Sequence, residues 1–314
     1  MCYHPAFKEL SESIINNPDR YEAHDKAKSV VEQLCQDRDI LHETLSRCLA
    51  NPAVLQEAKN LSIPLVMKGD VMIILNLFVP VRDGARNICH DNIHHHGWRL
   101  LTTGIVSGKG YETINFRRGS HLNRSGDKVD LEVEEIFHHV AGNVRFINSN
   151  QAHVVFNPTS LCSTLAVWSA DSIRINQGIK RHLENFPVVR KIAVKAIHAS
   201  GLNNILGLNP LNGLYYHPEG GIMLETKNYS KPFDGSREEI LGCMFKFFQQ
   251  VDFNDADYWR DRQKNAPPEA LSLIEKLIAG ESIPDTGIWG NYRRRFSKTQ
   301  MLQALDHAFP SDAS

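Results

Sequence analysis

Between Val71 and Ser169 the chain is a succession of short β-rich runs: Val71–Val81, Trp98–Val106, Tyr111–Phe116, Glu132–Val140, Asn143–Ile147, His153–Asn157 and Cys162–Ser169. Gly, Asn, Asp and Ser separate them. Short runs of β-branched and aromatic residues between turn formers build antiparallel sheets, and this many in series point to a barrel or jelly roll. The flanks read differently. Residues 5–50 carry Val30, Leu34, Leu41, Leu45 and Leu49 near one helical face. After about Ile175 the stretches Val188–Ala199, Arg237–Val251, Glu269–Ile278 and Lys298–Phe309 again show helical spacing, with Ser297 and Pro267-Pro268 as helix-start signals. The expected organisation is therefore a helical segment over 1–62, a β-barrel over 63–175, and a loop followed by helices over 176–314. The fold class is α+β, mainly a β-barrel flanked by helices.

Within the last region, Gly201–Gly221 is rich in Gly, Asn and Pro and lacks a period, which predicts a long ordered loop. Tyr215 lies in it and is a candidate to close over a bound molecule.

Charge and cysteine content narrow the function. Lys plus Arg number 35 against 36 Asp plus Glu, so no summed field draws a polyanion or an anionic membrane to the surface, and no nucleic-acid partner is expected. The six cysteines are scattered without a CxxC pair, as reduced thiols in a cytoplasmic protein would be. The N-terminus lacks the basic and apolar regions of a secretory signal. The longest apolar run, Val71–Val81, is too short to span a bilayer and contains Asn76, so a soluble protein with no membrane partner is expected.

Histidine is the outlier at 15, and it clusters between His90 and His139. His94 and His96 stand at i and i+2, which on a strand point to one face, while His95 points to the other. A third imidazole from a neighbouring strand would complete a site for a first-row metal ion, with positions left for water, substrate or O2. His153, at the head of the run HVVFN, is placed to supply it. His90 competes for a ligand slot. His138 and His139 lie on another strand and are read as surface or core residues. Parity counted from His96 predicts that Trp98, Leu100, Thr102 and Gly104 line the interior and that Arg99 faces out. Asn157, an even step beyond His153, is a further pocket candidate.

These residues carry a resemblance to the cupin superfamily. Its first motif is a His-x-His pair followed by an acidic residue and then a glycine; His94, His96 and Gly108 match, with Leu100 or Leu101 at the acidic position. Its second motif is matched by Gly142, His153 and Asn157 without a gap, with Asn148 and Asn150 replacing a proline and a glycine in the turn. The match covers about a third of the chain. A three-histidine site without the carboxylate resembles the mononuclear iron oxygenases among cupins. The Ser-x-His-x-Tyr run of thiol dioxygenases would fall near Ala166–Ala170 and is not there.

The resemblance implies an Fe(II) ion on His94, His96 and His153, with Zn, Mn, Ni or Cu as alternatives. It also implies O2 and a small anionic or chelating substrate as partners, a non-haem dioxygenase or oxygenase activity, and a homodimer. Trp98, Asn157 and Tyr215 are the candidate catalytic or pocket residues. Two other readings stand beside it: a metal-dependent isomerase or hydrolase with Glu112 or His90 as general base, and a non-catalytic small-molecule-binding barrel.

Overall fold

The computed structural model describes residues 4–58, 61–80, 88–90, 92–120, 124–125, 128–129, 131–172, 212–217, 221–225, 236–285 and 295–302. Three helices open the chain, α1 (Pro5–Asn16), α2 (Arg20–Gln36) and α3 (Arg38–Leu49), followed by a single turn, α4 (Ala53–Gln56). The run expected as one helical stretch is broken at aspartates. Asp19 accepts from the N–H groups of Tyr21 and Glu22 to start α2, and Asp37 ends α2 and caps α3. The buried residues of α2 include Ala23, Ala27, Val31 and Leu34, whereas Val30, expected on the buried face, is exposed.

Two antiparallel sheets form the body. The first contains β1 (Ser62–Lys68), β2 (Val71–Phe78), β5 (Arg99–Ser107), β10 (Arg145–Ile147) and β12 (Cys162–Ala170), in the order β1-β2-β12-β5-β10. The second contains β4 (Asn92–His95), β6 (Tyr111–Phe116), β7 (Arg124–Ser125), β8 (Lys128–Val129), β9 (Val133–His139), β11 (His153–Val155), β13 (Asn212–His217) and β14 (Gly221–Glu225). Its order is β7-β8-β14-β13-β4-β11-β6-β9. The chain crosses repeatedly from one sheet to the other, and β2-β12-β5-β10 and β4-β11-β6-β9 stand in jelly-roll order. A separate pair joins β3 (Ile88–His90) to β15 (Arg295–Ser297).

Alternation sorts each strand into two faces. On the first sheet Val71, Ile73, Leu75, Leu77, Leu165 and Val167 join the main core with the helices. That core also takes α5 (Arg237–Gln250), α6 (Ala256–Gln263) and α7 (Pro268–Ala279), which pack through Phe245, Phe248, Trp259 and Ile274. A Cβ on Gly104 would lie 2.9 Å from Cys35 Sγ, so α2 rests directly on β5 there. On the opposite face Phe78, Ile105 and Cys162 meet Tyr111 and Val155 of the second sheet. The outer face of the second sheet buries Ile93, Ile114, Phe116, Val154 and Phe156 under Met301, from the helical residues 298–302.

Pro268 opens α7 at the helix-start signal, and Ser236 and Glu239 form a capping box on α5. The stretch expected as an irregular loop contains β13, which hydrogen-bonds along β4. The expected helix over 188–199 lies outside the described residues. Among the described residues no helix is long and apolar enough to cross a membrane. Cys35, Cys48, Cys162 and Cys243 form no disulfide, and burial pushes the thiols of Cys35, Cys162 and Cys243 up to about 12.

Candidate metal centre

His94 sits on β4 and His153 on β11, directly opposite each other in the antiparallel register. Opposed residues share a face, and their ring centroids are 4.3 Å apart. His96 follows β4 by one residue and keeps its parity. Its ring lies 5.0 Å from His94 and 4.5 Å from His153. One nitrogen from each of the three falls within 4.8 Å of the others, and this is a grouping of His, Cys, Asp or Glu side chains among the described residues that could hold a metal ion. Nitrogens bound to one ion at about 2.1 Å stand roughly 3–3.5 Å apart, so small side-chain rotations bring these three to one ion.

Burial leaves two members of the cluster neutral. His96 and His153 are 3 % and 2 % exposed, and desolvation holds both well below the usual imidazole range, reinforced by the neighbouring histidines. Neutral imidazole is the ligand form. His153 Nδ1 lies 3.4 Å from the Gln151 carbonyl oxygen, a long contact that favours a proton on Nδ1 and leaves Nε2 open. His96 Nδ1 is buried without a hydrogen-bond partner among the described residues. An orphaned buried nitrogen on His96 beside the imidazoles of His94 and His153 fits a metal ion in chemistry and in number. His95, of opposite parity, is buried, and its Nδ1 accepts from the Gly97 N–H.

The surroundings differ from parity counted along the sequence. A turn at Gly97 and Trp98 separates the histidines from β5, held by Asn150 N–H to Gly97 O at 2.6 Å and Arg99 N–H to His96 O at 3.2 Å. The alternation restarts after it. Leu100, Thr102 and Gly104, expected inside, face the helices: Thr102 Oγ1 is 2.8 Å from His24 Nδ1, and Gly104 lies under Cys35. Leu101 faces inward instead, packed with Ile147, Ala166 and Trp168. Arg99 shares the parity of Leu101, and its charge is felt at His96. Burial lowers the Arg99 pKa, countered by nearby Asp70. The oxygens of Asp70 are engaged by Arg20 and the Ala170 N–H, and among the described residues the Arg99 guanidinium makes no hydrogen bond or ion pair.

Trp98 is 37 % exposed on the turn rather than in a strand. The aromatic wall of the cluster is Trp168, whose ring stands edge-on to His96 at 4.3 Å. Sequence reasoning passed over Trp168; its signal was an aromatic at the inward parity of the run Cys162–Ser169. Asn157 is half-buried just beyond β11. Tyr215 lies on β13 opposite Asn92, and the side chains of Tyr215 and His90 fall outside the described ones. Glu112 lies on the outer face of β6, bonded to Lys298 at 2.8 Å, away from the histidines. His138 is exposed, and buried His139 bonds Tyr111 at 3.1 Å. Asn150 adopts φ +55°, the left-handed turn conformation expected of it, and Gly108 adopts φ +88°.

No protein-family model matches the sequence, and no curated protein matches it. Several solved structures are similar to part of it. A DMSP lyase, DddQ from Ruegeria pomeroyi, shares 12% identity over 35% of this chain and 46% of its own, with a TM-score of 0.25. A cupin protein from Bacteroides fragilis shares 19% identity over 36% of this chain and 79% of its own, with a TM-score of 0.24. An uncharacterised conserved protein with a double-stranded β-helix domain from Klebsiella pneumoniae shares 13% identity over 37% of this chain and 87% of its own, with a TM-score of 0.24. The chain spans less than half the length of the lyase it matches.

Proposed function

We propose that the chain is a cupin-type metalloenzyme that holds Fe(II) on His94, His96 and His153 and acts with O2 on a small anionic or chelating organic molecule. The convergence of three imidazoles on one face, those of His96 and His153 buried and neutral and that of His94 half-buried, is the observation that carries this reading. Leu101 takes an inward position on β5, one of the two places where the resemblance calls for a carboxylate in other cupins. Three neutral ligands leave the ion its full charge, and with Arg99 on the same face the pocket favours an anion.

When bound, the ion supplies Lewis acidity and a site where reactants are brought together. The protein supplies the rest. Trp168 and Leu101 give a dry wall that keeps water from the reacting groups, and Arg99 offers a fork for a carboxylate. The isomerase or hydrolase reading needs a general base beside the site, and Glu112 points to the opposite face of β6.

The test is metal content of protein purified without oxygen, then O2 uptake after Fe(II) reconstitution with thiols, diketones, aromatic acids and amino acids. About one iron per chain with substrate-dependent O2 uptake is expected. Firmly held zinc, manganese or nickel with no O2 uptake would overturn the oxygenase reading.

A further inference from the structure

The row that holds the histidines continues one strand further. Asn115 on β6 stands directly opposite His153, which stands directly opposite His94. Opposed residues on adjacent antiparallel strands share a face with Cβ atoms about 4.5–5.5 Å apart, so the Asn115 amide emerges beside the His153 ring. Its neighbours Ile114 and Phe116 point the other way, into the outer core. Asn115 is 5 % exposed, and its Oδ1 has no hydrogen-bond partner among the described residues. Thr113, two residues back on the same face and 2 % exposed, has an equally unpartnered Oγ1. A buried polar atom left unpaired is costly, and two on one short strand face, next to three convergent imidazoles, make a surface shaped for something that is not protein.

We infer that Asn115 is a specificity residue whose Oδ1 accepts a hydrogen bond from an O–H or N–H group of the molecule bound at the three histidines. The ligand class is then narrower than an anion. It is a small chelator that carries a protic donor next to its metal-binding oxygen, such as a 2-hydroxy or 2-amino acid, rather than a simple carboxylate or a diketone. This rests on the metal reading above.

Two measurements on Asn115→Leu test it. The first needs no metal. Replacing an unsatisfied buried amide by an apolar group of similar shape removes a desolvation cost, so the apo variant should melt at or above the wild-type temperature; a clear drop would mean that Asn115 makes a structural bond and would overturn the inference. The second uses Co(II)-loaded protein, with glycolate and methoxyacetate titrated by the visible absorption of the ion. In wild type the preference for glycolate over methoxyacetate should exceed that in Asn115→Leu about tenfold, while Co(II) affinity and methoxyacetate binding change less than about threefold. An equal preference in both proteins would overturn the role of Asn115 and leave the metal site standing. Failure of wild type to bind Co(II) would overturn both readings. Asn115→Ser, which keeps a polar oxygen, should retain part of the preference, and a Ser variant indistinguishable from Leu would count against the assignment.

Discussion

Leu101 and Trp168 are paired partners across β5 and β12, and the Trp168 ring stands edge-on to His96 at 4.3 Å. Packing between the sheets thereby fixes the orientation of one member of the histidine cluster. Trp168→Ala should let the His96 ring move, weakening metal binding about tenfold, the scale of losing a supporting contact to a ligand. It should also cost about 2–3 kcal/mol of stability for a half-buried ring. Trp168→Phe should keep most of both. Zinc competition titrations and thermal melts on the three proteins check this.

His96→Ala and His153→Ala should each abolish tight metal binding, because two imidazoles hold an ion far less firmly than three. His139→Ala removes a buried histidine bonded to Tyr111 on the same sheet. It should leave stoichiometric metal while lowering the melting temperature. Metal analysis after gel filtration separates the three, and stoichiometric metal in both of the first two variants would sink the ligand assignment.

Arg99 carries a charge on the inner face without a hydrogen-bond partner among the described residues. Arg99→Gln should weaken binding of small carboxylates such as acetate to the Co(II)-loaded protein by about tenfold, the value of one partly screened charge-assisted pair. Binding of neutral imidazole should not change. Absorption titrations with both ligands decide it, and an equal effect on both would show that Arg99 acts only by shaping the pocket.

His24 clamps α2 to the first sheet, with Nδ1 at 2.8 Å from Thr102 Oγ1 and Nε2 at 2.9 Å from Ser169 Oγ. Burial, aided by the charge of Arg20, lowers its pKa from 6.5 to about 4. The unfolded chain therefore takes up a proton near pH 6.5 that the folded chain refuses. The stabilising effect is fully present above that pH and is lost as pH falls from 6.5 toward 4, by about 3 kcal/mol. His139, lowered to about 4 mainly by burial, works in the same direction. Denaturant melts of the apo protein from pH 7.5 to 4.5 should show the fall, and His24→Asn should reduce it to the part that His139 supplies while lowering stability at pH 7.5.

Gly108 turns β5 into β6 at φ +88°, and a Cβ there would lie 2.4 Å from the Leu161 carbonyl oxygen. Gly108→Ala should cost about 2–3 kcal/mol. A thermal melt close to wild type would show that the turn relaxes.

The histidine cluster was legible because strand periodicity alone puts His94 and His96 on one face, and the run HVVFN offered a partner strand. The turn residues were legible too: Asn150 takes the left-handed conformation that its place between two β-runs required. What failed was counting across a turn. Parity holds only while the backbone stays extended, and the bend at Gly97 and Trp98 resets it, which exchanges Leu100 for Leu101 and turns Arg99 inward. Asn115 and Trp168 escaped notice for a different reason. Their importance comes from neighbours on other strands, and register between strands distant in sequence is not written in either strand by itself. β13 was hidden by the glycines and asparagines of the stretch 201–221 around it, which reads as a loop until β4 supplies the hydrogen bonds.

That last pairing bears on how the protein is made. Gly213 is the partner of His94 on one side, and His153 is its partner on the other. While the chain is leaving the ribosome, β4 has only half of its ladder until residues 212–217 emerge, some 120 positions later. Any precursor or fragment ending before β13 leaves the histidine-bearing strand as an unprotected sheet edge. Expression trials that trim the C-terminal region to isolate the barrel should therefore yield aggregated chains, and metal is best supplied after synthesis of the full-length protein.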